Sequence, residues 1–121
     1  MLETEDLQIL AELAFGAVFT GNMLPARTIF EGLAAARPEH EAPRIGMAMS
    51  HYMVNEFDRA EEILRGLIQD KPGFRPAVVN LALCLILSGK KTEARPLLLE
   101  LEKNNDPQYS DMVGELLGLC P

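Results

Sequence analysis

Residues able to do acid–base, nucleophilic or metal chemistry are few and scattered in this sequence. The two histidines, His40 and His51, have no cysteine, serine or carboxylate at metal-ligand or triad spacing. Ser50 and His51 are neighbours, and neighbours on a helix point in different directions. Glu61 with Glu62, and Glu100 with Glu102, read as solvated helix surface. The glycines fall at helix ends and interiors and form no phosphate-cradling loop. Cys84 lies inside a helical pattern and Cys120 is next to last, without a CxxC or Cys/His spacing. The expectation is one buried small hydrophobe and one exposed thiol, with no disulfide. No nucleophile meets a base, so the sequence predicts no catalytic residue, no metal site, no cofactor and no enzyme activity.

Composition narrows the class. At 121 residues the chain has the length of one domain. It is 48% apolar but only 6% aromatic, with no Trp, a balance that suits helices packed through Leu, Ala, Ile and Met. A net charge of −7 argues against a nucleic-acid partner, which would need a basic face. The N-terminal MLETEDLQ is acidic where a secretory signal starts basic, so a mature cytoplasmic protein is expected. The longest apolar run, residues 77–87, is broken at Asn80 and too short to span a bilayer, so no membrane insertion is expected.

The elements that would position any site repeat. The segment 57–72, FDRAEEILRGLIQDKP, is an amphipathic helix with Asp58 as N-cap and Glu61 as the other half of a capping box. Its landmarks recur at intervals of 34 residues. Ala60 matches Ala26 and Ala94, Leu64 matches Phe30 and Leu98, Leu67 matches Leu33 and Leu101, and Pro72 matches Pro38. Helical spacing predicts partner helices over 5–20, 42–54 and 75–87, with turns at Gly21-Asn22, Asn55-Glu56 and Ser88-Gly89. Second helices begin near Pro25, Asp58 and Thr92, the last carrying Pro96 close to its start. A seventh helix is expected over about 107–119, capped by Asp106, with Met112, Val113, Leu116 and Leu117 as its apolar stripe.

Helix pairs at this period resemble the tetratricopeptide repeat family, over roughly residues 7 to 108. The pattern's Leu-small pair stands as Leu13-Ala14, Met47-Ala48 and Leu81-Ala82, and its distant alanine as Ala26, Ala60 and Ala94. The chain departs from it where the leading Trp is Leu10, Arg44 and Val78, and where the first helix's aromatic is Ala17, His51 and Leu85. The resemblance implies an all-α fold: a single domain over 1–121 in which three helix hairpins, at about 7–40, 41–74 and 75–108, form a right-handed α-solenoid closed by a C-terminal capping helix.

It also implies which residues line a concave groove. They are Gln8, Ala11, Phe15, Val18 and Phe19, then Ala42, Ile45, Met49, Tyr52 and Met53, then Pro76, Val79, Leu83, Ile86 and Leu87. Almost all are apolar, and the same helices must also bury their other faces through Leu13, Ala14, Ala17, Met47, Ala48, Leu81, Ala82 and Leu85. A helix that is apolar all round has to be covered all round. Three outcomes stay open: the seventh helix folds back over the groove, these residues are core, or a partner or second copy fills it. A carboxylate clamp of Lys, Arg and Asn is absent, since the nearest residue, Asn80, lies off that face. Such a groove suits an amphipathic helix of about 15 residues, with Met49 and Met53 adapting to its shape. Small, acidic and apolar in its groove, the chain resembles the chaperones of bacterial type III secretion. The short class is the nearer, in which the groove holds an apolar helix of the needle subunit, often beside a small co-chaperone; a translocator subunit is the partner of the longer class. A generic scaffold or self-associating module is the alternative reading.

Overall fold

The computed structural model describes residues 3–104 and 106–120, which form seven α-helices and no strand. They are α1 (Thr4–Phe19), α2 (Met23–Ala36), α3 (Ala42–Tyr52), α4 (Phe57–Asp70), α5 (Arg75–Leu87), α6 (Lys91–Lys103) and α7 (Ser110–Gly118). They gather into two compact units, Met1–Ile63 and Leu64–Pro121, whose boundary falls inside α4.

The turn inside each hairpin is the same in all three repeats. The chain reverses through a left-handed residue at Gly21 (φ 86°), Asn55 (φ 65°) and Gly89 (φ 84°), each 34 residues from the next. The following N–H then reaches back to the preceding helix: Asn22 to the Ala17 carbonyl at 2.8 Å, Glu56 to His51 at 2.9 Å and Lys90 to Leu85 at 2.7 Å. This 6→1 bond is the Schellman closure, which satisfies a carbonyl the helix end would otherwise leave unpaired. Asn is the best substitute for Gly there because its short polar side chain tolerates a positive φ.

Small residues hold the hairpins together. Ala14, Ala48 and Ala82 on the first helices are fully buried, as are Ala26, Ala60 and Ala94 on the second. In the first unit α1 packs on α2 and α3, and α2 packs on α3. The Phe30 ring is fully buried there, edge-on to Phe15 with centroids 4.9 Å apart. It occupies the space that Gly46 of α3 leaves empty, where any Cβ would collide with the ring. In the second unit α5 packs on α6 and α6 on α7, around Leu81, Leu85, Leu98 and Val113.

Several sequence expectations need correction. Asp58 lies in the first turn of α4, which begins one residue earlier, so its charge faces the positive helix end without capping it. The seventh helix starts at Ser110. Asp106 is held elsewhere: it accepts a hydrogen bond from the Gln108 N–H at 3.0 Å and pairs with the Arg75 guanidinium, so 107–109 form a turn ahead of the helix. Pro96 sits inside α6 on its exposed side. Cys120 is 4% exposed, not a surface thiol, and its carbonyl accepts from Arg95 at 3.4 Å. Leu13, expected to pack, is 59% exposed, while its counterpart Leu81 is buried. Among the described residues no helix precedes α1 to cover that face.

The Gly46–Phe30 contact sets a paired test. Gly46→Ala should lower unfolding stability by about 1–3 kcal/mol through overpacking. Gly32→Ala, on an open part of α2, should be neutral or raise it by up to about 1 kcal/mol. Urea denaturation of both variants checks the pair, and a neutral Gly46→Ala would mean the Phe30 ring has room to move.

Candidate functional site

The residues implied for the groove sort by exposure into rows that follow the 34-residue register. Phe19, Met53 and Leu87, at or just past the ends of α1, α3 and α5, are 66%, 45% and 55% exposed. Phe15, Met49 and Leu83, one turn earlier, are half-buried, as are Ala11 and Ile86. Ala42 is exposed at the start of α3. Val18, Ile45, Tyr52 and Val79 are buried. A partner could reach the first two rows, whereas the buried four support the surface from inside. This split is legible only in the folded chain, because helical spacing assigns all these residues to one broad face.

Other exposed apolar side chains did not stand out in the pattern. Ile9 and Leu13 lie one turn apart on α1, and Leu24 stands near the start of α2. Helical spacing predicts Leu13 as a packing residue beside Ala14, and Ile9 belongs to no predicted stripe. Asn80 turns back on its own helix, its Nδ2 donating to the Pro76 carbonyl at 2.7 Å.

The histidine and serine that attract attention in the sequence are engaged structurally. Arg27 of α2 donates from Nε to Ser50 Oγ at 2.9 Å and from Nη2 to the Ser50 carbonyl at 2.8 Å and Glu56 Oε1 at 2.6 Å. Ser50 is fully buried, and its hydroxyl donates to the Met47 carbonyl at 2.6 Å. His51 Nδ1 faces Glu56 Oε1 at 3.0 Å, so its proton goes to a carboxylate on the turn and the pair contains no activated nucleophile. The cluster ties α2 to α3 and to the turn that follows it. The hydrogen bonds from His51 and then from Arg27 hold the Glu56 carboxyl below its ordinary 4.5. Asp106 is likewise lowered, first by the Gln108 N–H and then by Arg75.

A half-open cavity of about 290 Å³ lies in the first unit between the start of α1, the end of α2 and the start of α3. Two implied groove residues, Ala11 and Ala42, line it. No group of three or more His, Cys, Asp or Glu side chains able to hold a metal occurs among the described residues. No described helix is long and apolar enough to cross a membrane.

Comparison with known proteins bears on the family and the fold. A tetratricopeptide repeat family profile matches residues 55–116. The type III secretion translocator chaperone SycD of Yersinia enterocolitica has a similar fold, at 21% identity over 98% of this chain and 85% of that one, with a TM-score of 0.75. An alternative dimer of SycD matches at 20% identity over 96% of this chain and 92% of that one, with a TM-score of 0.79. No curated protein matches.

Glu56 gives a pH prediction. Its folded pKa lies below 4.5, so its contribution to stability is fully present above pH 4.5 and is lost as pH falls through the lower folded value. Wild type should therefore exceed Glu56→Gln in urea midpoint at neutral pH, and the gap should close below pH 4.5. A gap that persists unchanged at low pH would show that Glu56 acts through its shape and not its charge.

Proposed function

The chain belongs to the tetratricopeptide repeat family, and from that premise we propose that it is a cytoplasmic chaperone of type III secretion, holding an apolar helix of a needle or translocator subunit. The observation that carries this reading is the row Phe19, Met53 and Leu87. Large apolar side chains recur in the open at one register of all three repeats, at positions where a soluble surface gains nothing from them. Behind each stands a half-buried apolar residue one turn away: Phe15, Met49 or Leu83. Within the first unit, where α1 packs on α3, a helix carrying an apolar stripe finds Phe15, Phe19, Met49 and Met53, and the two methionines give it shape tolerance. The fold shared with SycD supports the secretion role, and the net charge of −7 favours a ligand with basic flanks.

The alternative, a scaffold that self-associates, has its own observation in the bare Ile9, Leu13 and Leu24. Sedimentation of the purified chain separates the two. Under the chaperone reading the chain alone is unstable or heterogeneous and becomes a defined complex when co-expressed with a small helical secretion subunit. A monodisperse, stable homo-oligomer that ignores such a subunit supports the scaffold.

Substitution tests the surface itself. Met53→Glu and Leu87→Glu should abolish subunit capture in a pull-down while leaving the circular dichroism spectrum intact, because both side chains are already largely in water. Ala60→Leu should instead damage the fold, at about 1–3 kcal/mol, because its site is fully buried. Equal loss of helicity in all three would mean the open row is structural.

A further inference from the structure

The cavity in the first unit has a chemistry unlike the rest of the protein. Its walls are apolar, formed by Leu7, Ala11, Leu33 and Pro43, of which all but Ala11 are buried. At its mouth stand Arg37, half-buried, and His40, exposed. No carboxylate lines it, in a chain where acids outnumber bases 18 to 11. Among the described residues the Arg37 guanidinium makes one hydrogen bond, to the Ala36 carbonyl at 3.2 Å, and no ion pair. The cavity is also lined by Thr4 and Ala42, the first residues of α1 and α3, but those helix ends carry their own acids, Glu3, Glu5 and Asp6 on α1 and Glu41 ahead of α3, and His40 lies 3.9 Å from Glu39, so the cation at the mouth is Arg37.

Resting on the helix-binding function above, we propose that this cavity is the anchor point for an apolar side chain of the bound helix that has an Asp or Glu three or four positions away. The apolar side chain fills the space between Leu7, Leu33 and Pro43, and the carboxylate, one turn along the same helix face, pairs with Arg37. The size fits this occupant. At about 290 Å³ the cavity has room for one large side chain and stands at the lower limit of small-molecule pockets, roughly 300–1,000 Å³. It suits one large side chain reaching in from a chain that lies outside.

Fluorescence anisotropy with the full chain tests this. Two labelled helical peptides of about 15 residues share one leucine stripe; the first carries Glu four positions after a central Leu, and the second carries Lys there. The Glu peptide should bind about tenfold more tightly, and Arg37→Glu should reverse the preference. If both peptides bind wild type and Arg37→Glu alike, and both are lost in Met53→Glu, the anchor is wrong while the helix-binding function stands. If neither peptide binds, both fall. If octanoate binds in an Arg37-dependent way and the peptides are not distinguished, the cavity belongs to a small amphiphile and the anchor is overturned.

Discussion

Everything in this fold depends on how closely its paired helices can approach. Six alanines, three on the first helices and three on the second, are without solvent exposure. A larger side chain at any of them would push two axes apart and open the layer of Leu64, Leu81, Leu85 and Leu98, or of Phe30, beside it. Gly46 carries the same constraint further, since even a methyl group would displace the Phe30 ring. The left-handed turns at Gly21, Asn55 and Gly89 are the second half of the device. They return the chain within three or four residues, at the angle this close crossing requires.

With the inner faces committed to packing, the first helices divide their remaining apolar residues between support and surface. Ile45, Tyr52 and Val79 go inside; Phe19, Met53 and Leu87 stay out. The outward residues sit at helix ends, where their removal costs the core little. That separation lets the outward residues vary without disturbing the fold. The Arg27–Ser50–Glu56–His51 cluster shows the opposite economy, because polar groups that resemble reactive chemistry are spent on fixing α2 against α3.

Much of the architecture was legible because a close crossing demands particular residue types at fixed intervals. The alanines, the Phe30, Leu64 and Leu98 register and the turn residues could be read before any coordinates, and α5 spans the expected residues. What could not be read depends on neighbours rather than on local pattern. Leu13 has the spacing of a core residue but is left exposed by the described elements, and Cys120 looks terminal yet is enclosed. Asp106 has the type of a helix cap, but Arg75 and the Gln108 N–H claim its carboxylate first. For the candidate surface, the family resemblance implies a face but not a depth, so Val18 and Phe19 fall together although one is core and the other open. The cavity beside Arg37 drew on three helix ends at once, and no local pattern points to it.

The central claim is that the open apolar row on the first helices is where a helical partner lies. Hydroxyl-radical footprinting of the chain alone and in complex with a co-expressed secretion subunit tests it most directly. Met49 on α3 and Met53 just past its end serve as reporters, and Met112 on α7 is the internal control. The account predicts that oxidation of Met49 and Met53 falls severalfold in the complex while Met112 is unchanged. Undiminished oxidation of Met53 in a stable complex would contradict it.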